Sequence, residues 1–132
     1  MITINGGTTS QREYAFSMAS FVCNKFGINP DIEINFRRLT NCTTLGGCVQ
    51  LDDNEYEVDI KRSLRLREML TTLAHELVHV KQYELGQLTQ NSDNDFDYWD
   101  KPSEIEAHGR EAGLFIRWAE QNKVANKKWT QR

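Results

Sequence analysis

His75, Glu76 and His79 stand at the spacing His-Glu-x-x-His, within residues 70–83, a stretch without proline or glycine. On a helix, residues four apart lie one turn apart on the same face, so the two imidazoles can converge on one metal ion. Imidazole nitrogen is a preferred donor to Zn²⁺. Glu76 sits beside them, where a carboxylate that is not needed as a ligand can take a proton from water. Two ordinary histidines on a helix would account for neither Glu76 nor the position of the pair opposite the apolar stripe. That stripe comprises Leu66, Met69, Leu70, Leu73, Leu77 and Val80, and His75 and His79 point away from its centre.

A catalytic zinc commonly has three protein ligands and one position left for water. The third ligand is expected in residues 102–111, which contain Glu104, Glu106, His108 and Glu111. On a helix Glu104, His108 and Glu111 share a face, whereas Glu106 falls on the other side and is expected to pair with Arg110. A first-turn position also favours the ionised form of Glu104 through the helix dipole. Glu104 is therefore the expected third ligand, with His108 as its rival. If it is not a ligand, His108 is expected to donate a hydrogen bond to a ligand or to substrate, or to close the inner end of the cleft against Glu111. Tyr83, one turn beyond His79, and Tyr98, just before the ligand helix, are candidates for stabilising negative charge on a substrate oxygen. The plainer reading of both is a packed ring with its hydroxyl in water.

These groups need a scaffold. Residues 1–10 read as a loose arm, with Ser10 as the N-cap of a helix to about Phe26 that stops at Gly27. Ile32, Ile34 and Phe36 alternate with Glu33, Asn35 and Arg37, and Tyr56, Val58 and Ile60 repeat the pattern. Residues 45–51 between them form a further strand, entered through Gly46-Gly47. A small three-stranded sheet is predicted. The histidine-bearing helix then runs from about Leu64 to Leu85 or Gly86, and a loop ends in the aromatic cluster Phe96, Tyr98 and Trp99. A last helix carries Pro102 in its first turn and Ser103 and Glu106 at capping-box spacing, and runs to the Trp118 region. The fold class is α+β, a single domain over residues 1–132 with a short basic tail at 123–132.

Bulk properties narrow the function classes. A chain of 132 residues, 39% hydrophobic and 27% charged, can bury one core and is unlike a disordered sequence. The formal net charge of -3 gives no global field to gather nucleic acid. Only the tail, with Lys123, Lys127, Lys128 and Arg132 around Trp129, leaves a local nucleic-acid contact open, against the plainer reading of a solvated helix end. Cys23, Cys42 and Cys48 are an odd number without metal-binding spacing, which fits a reducing compartment. With no basic-then-apolar leader and no run of about 18 apolar residues, a cytoplasmic protein without membrane association is expected.

Through His75, Glu76, His79 and Glu104 the chain resembles the small HExxH zincins: minimal gluzincins, SprT-like peptidases and the metallopeptidase domain of the IrrE/ImmA type, phage-encoded forms among them. In gluzincins the third ligand is a glutamate on a later helix, a role that falls on Glu104. SprT-like peptidases mostly use a third histidine, for which His108 is available. Many gluzincins carry an aspartate four residues after the ligand glutamate, where this sequence has His108. The resemblance implies a minimal zincin fold, Zn²⁺ as cofactor and hydrolysis of a peptide or protein substrate, by an endopeptidase more readily than an exopeptidase. Such a substrate would lie along an exposed sheet edge. The alternatives are hydrolysis of a non-protein amide, or a zincin scaffold kept as a binding or regulatory module; an intact Glu76 speaks against the second.

Overall fold

The computed structural model describes residues 1–39, 44–89 and 92–131; Cys42 and Arg132 lie outside them. The elements in chain order are β1 (Ile2–Asn5), α1 (Thr9–Phe26), β2 (Asp31–Arg37), β3 (Gly46–Asp52), β4 (Glu55–Lys61), α2 (Leu66–Glu84) and α3 (Pro102–Gln121). Short 3₁₀ turns at Tyr98–Asp100 and Lys128–Thr130 precede and follow α3. This is an α+β arrangement of N-terminal helix, small mixed sheet, His-Glu-x-x-His helix and C-terminal helix, the minimal zincin fold.

The sheet has four strands in the order β1-β2-β4-β3, one more than the sequence patterns predict. The expected loose arm is β1, paired in parallel with β2 at Ile2↔Ile32 and Ile4↔Ile34. Four residues carry too short an alternation to register as a strand, and a parallel partner reached through a helix leaves no hairpin signal. The cap of α1 also lies earlier than Ser10. Thr8 and Gln11 form a reciprocal capping box, and the Gln11 side-chain amide donates to the Arg62 carbonyl (3.0 Å), tying the helix start to the end of β4.

Alternation in β2 and β4 sorts the two faces of the sheet. Ile32, Ile34 and Phe36 stand in register with Tyr56, Val58 and Ile60, and all six are buried in the same core as α1 and α2. The other face is polar, with Asn5 bonded to Asn35 and Arg37 paired to Asp59. At the edge, β3 runs antiparallel to β4. A Cβ on Gly46 would stand 3.0 Å from Cγ2 of Thr72 on α2 and 2.9 Å from the Asp59 carbonyl, so the bare backbone lets α2 approach the sheet at this point.

Helix α2 is enclosed: every residue from 73 to 82 is buried, including His75, Glu76, His79, Lys81 and Gln82. Polar groups this deep must find partners, and α3 supplies them for His75, His79, Lys81 and Gln82. The start of α3 differs from the expected capping box. Pro102 opens the helix, and Asp93 of the preceding loop takes both the Ser103 backbone N–H and the Ser103 hydroxyl, leaving Glu106 free to face α2. The Arg110 partner expected for Glu106 is present, at 2.7 Å, but Lys81 at 2.5 Å and Gln82 at 2.9 Å join it.

The basic tail is built into the fold. The Trp129 ring lies 5.2 Å from Tyr14 and 6.3 Å from Trp118, centroid to centroid. Thr130 is buried and its backbone carbonyl accepts from Arg67. The aromatic of the tail is thus packed on aromatic neighbours and half-buried. Among the described residues no helix is long and apolar enough to cross a membrane.

Candidate metal centre

His75 and His79 leave α2 one turn apart, with ring centroids 5.1 Å from each other. Their Nε2 atoms converge on one carboxylate: Oε1 of Glu104 lies 2.9 Å from His75 Nε2, and Oε2 of the same residue lies 3.1 Å from His79 Nε2. Glu104 reaches them from the first turn of α3. Its partners on the far side of each ring are equally defined. Nδ1 of His79 is 2.8 Å from Oε1 of Gln82, and Nδ1 of His75 is 3.4 Å from Oε1 of Glu111.

The orientation of Gln82 determines the protonation of His79. Its Nε2 lies 2.9 Å from both the Ser103 carbonyl and Glu106 Oε1, two groups that can only accept. The oxygen therefore faces His79, whose Nδ1 must donate. In a neutral ring that leaves the Nε2 lone pair directed at a Glu104 oxygen. His75 is likewise flanked by two carboxylates. Each imidazole needs a positive charge between its Nε2 and Glu104, either a proton or a metal ion. Ligand atoms on a tetrahedral zinc stand about 3.3 Å apart, close to the 2.9 and 3.1 Å that separate the Glu104 oxygens from the two Nε2 atoms. The donor set of imidazole and carboxylate is the one zinc prefers among hydrolytic centres, and the residues fit the ion.

Electrostatics agree with that reading. Burial alone would lower the His75 imidazole, but Glu104 and Glu111 override it and push it up to about 10. For His79 burial is again outweighed, by Glu104 and Gln82, and its pKa is raised. Glu104 is driven up by burial and down more strongly by the two imidazoles, which hold it well below the usual carboxylate range. Burial pushes the Glu76 carboxyl up against the pull of His75 and His79. It is a proton-hungry group in a cluster of anions.

The other expected residues fall around this centre. His108 donates or accepts through both nitrogens, at 2.9 Å to Glu111 Oε1 and 3.0 Å to the Tyr98 hydroxyl. That hydroxyl is also 3.0 Å from Glu104 Oε1, and burial together with the Glu104 charge raises its pKa to about 12. Tyr98 is thus beside the centre although it lies outside the helices. Tyr83 packs its ring 5.9 Å from Tyr56 and lines a small cavity with His79 and Glu104. A cavity of about 450 Å³ opens on the other side, bounded by Gly46, Glu76, Tyr98, Trp99 and His108.

Two sets of three potential ligands hold their donor atoms within 4.8 Å of one another: His75, Glu76 and His79, and His75, His108 and Glu111. The buried His-Glu-x-x-His motif and the facing groups of α3 form a zincin-type metal-binding site, the arrangement of a metal-dependent hydrolytic centre. Sequence reasoning missed Gln82 and underrated Glu111 and Glu106. Gln82 lies three residues beyond His79, a spacing at which side chains meet on a helix, and that was the available signal. No protein-family model, curated protein or solved structure matches the chain.

Proposed function

We propose that the protein is a zinc-dependent peptidase in which His75, His79 and Glu104 hold the metal and Glu76 is the general base. The observation that carries this is the bridging of both Nε2 atoms by the two oxygens of Glu104. His108 has both ring nitrogens engaged elsewhere, and Glu111 meets His75 through Nδ1, so each suits an orienting role better than a ligand role. This favours a gluzincin-like ligand set over a three-histidine one.

Zinc in such a set supplies Lewis acidity, which acidifies water and polarises a carbonyl. The rest of the work falls to the chain. Glu76 takes a proton from water on its carboxylate as the water oxygen bonds to the carbonyl carbon. It returns that proton to the amide nitrogen as the C–N bond breaks, giving a carboxylic acid and an amine. Burial, which raises the Glu76 pKa, suits a group that must both accept and release a proton. Tyr98 and His108 line the same cavity as Glu76, and exchanging their bonds to Glu104 and Glu111 for a substrate oxygen would let them meet a developing oxyanion. Tyr83 lies on the opposite flank and contributes to the wall.

The edge strand β3 begins at this cavity, and its outer backbone is the exposed edge along which an extended peptide can pair. An extended main chain bound there would be held without strong demands on sequence, which favours an endopeptidase acting on proteins or peptides. A second reading has the ion held by His75, His108 and Glu111. The test is hydrolysis of a quenched fluorescent peptide mixture by protein with about one zinc per chain, abolished by chelation and restored by zinc. Cleavage of small amides but of no peptide would move the activity to a non-protein substrate, and absence of all hydrolysis would leave a zinc-binding module.

A further inference from the structure

A cavity of about 790 Å³ lies beside the one at the metal centre, and Leu45, Thr72 and Glu111 line both. Its far end is formed by Arg65 and Leu66 at the start of α2 and by Lys128 and Trp129 of the C-terminal turn. We propose that this groove is the substrate-selecting subsite of the enzyme, binding the stretch of polypeptide on the Leu45 side of the scissile bond and favouring acidic side chains there. The proposal rests on the peptidase reading given above.

The walls of the groove are held rigidly. Trp129 is packed against Tyr14 and Trp118, Thr130 Oγ1 bonds the Lys127 carbonyl at 2.7 Å, and Arg67 joins the Thr130 carbonyl to α2 while lying over Phe115. Rigid walls limit the entropy lost on binding. Apolar surface comes from Leu45, Leu66 and Trp129, which can cover aliphatic or aromatic parts of a peptide. The charges give the preference. Arg65 and Lys128 are both exposed and have no acidic partner among the described residues, whereas Glu111 is taken up by His75 and His108. Glu68 and Glu111 also line the cavity, two anions against the three cations Arg65, Arg67 and Lys128, which leaves an excess of positive charge. The volume is several times that of a single side chain, so a segment of a few residues fits.

Binding and turnover test this separately. Labelled peptides carrying Asp, Ala or Lys beside the cleaved bond would be titrated by fluorescence anisotropy onto zinc-loaded Glu76→Gln protein, and cleaved by zinc-loaded wild type. Each exposed charge pair is worth ~2- to 5-fold in affinity. The Asp peptides should bind more tightly than the Lys peptides by at least that factor, with the gap narrowing at high salt. In Arg65→Glu/Lys128→Glu protein the order should reverse, and the change in turnover should appear in KM. Equal binding of Asp and Lys peptides, or the same order in the charge-reversed protein, would overturn the groove assignment while cleavage by wild type left the peptidase reading intact. Charge-dependent binding without cleavage of any peptide would leave the groove standing and remove the peptidase reading.

Discussion

The side-chain oxygen of Gln82 lies 2.8 Å from Nδ1 of His79, and the amide nitrogen of the same residue is bonded to Ser103 and Glu106 of α3. One buried amide therefore fixes the tautomer of a metal ligand and joins the two helices that supply ligands. Replacing Gln82 by Met keeps the volume and removes the hydrogen bonds. Zinc affinity should fall ~10- to 100-fold, the usual effect of losing a partner to a ligand histidine. Competition with a chelating dye measures it, and an unchanged affinity would reduce Gln82 to a packing residue.

Glu104 and Glu111 are separable by metal content. Glu104→Ala should lose stoichiometric zinc, because the carboxylate facing both Nε2 atoms is gone. Glu111→Ala should still hold about one zinc per chain with weakened affinity. The reverse pattern in elemental analysis would move the ion to the site of His75, His108 and Glu111.

Glu76→Gln retains shape but not basicity. Zinc content and fold should persist while turnover drops by at least ~10²-fold, the lower end for loss of a general base. Wild-type turnover in this variant would eliminate Glu76 as the base.

Lys81 is buried, with its ammonium 2.5 Å from Glu106. Removing one member of a buried pair typically costs 3–5 kcal/mol; Glu106 keeps about a quarter of its side chain in water, so Glu106→Ala should destabilise the metal-free protein by about 3 kcal/mol. Adding Lys81→Met to Glu106→Ala should recover much of that loss. Denaturant unfolding gives both values, and a cost below ~0.5 kcal/mol would mean the pair behaves as an exposed one.

Proton release follows from the acceptors around the two imidazoles. In metal-free protein Glu104 and Glu111 push the His75 imidazole up to about 10, so it carries a proton at neutral pH, and Glu104 and Gln82 raise His79 above its ordinary value. A raised folded-state pKa stabilises the metal-free protein fully below the unfolded value of about 6.5, and that contribution is lost as pH rises through about 10. Zinc must displace these protons, so its affinity should change in the opposite direction and weaken as pH falls from 8 to 6. Calorimetry in buffers of different ionisation enthalpy should report at least about one proton released per zinc at pH 7, that of His75. Release of none would mean that the imidazoles are neutral without the metal.

The His75-Glu76-x-x-His79 motif was legible in the sequence because its geometry is local: four residues of helix place two imidazoles together whatever surrounds them. That Glu104 faces the two imidazoles and Glu106 does not was nearly as legible, since helical phase separates them before any tertiary contact is known. The alternations of β2 and β4 were likewise local, whereas β1 depended on a distant parallel partner and escaped. What only the tertiary structure decided lies between α2 and α3. An amide can face either way, a glutamate can meet a surface arginine or a buried lysine, and a basic tail can be free or form a wall. Each of those choices is settled by groups far apart in the chain that must satisfy one another once water is excluded. The packing of α3 on α2 thus turned Gln82 and Lys81 from unremarked helix residues, and Glu106 from an expected surface partner of Arg110, into the support of the metal centre.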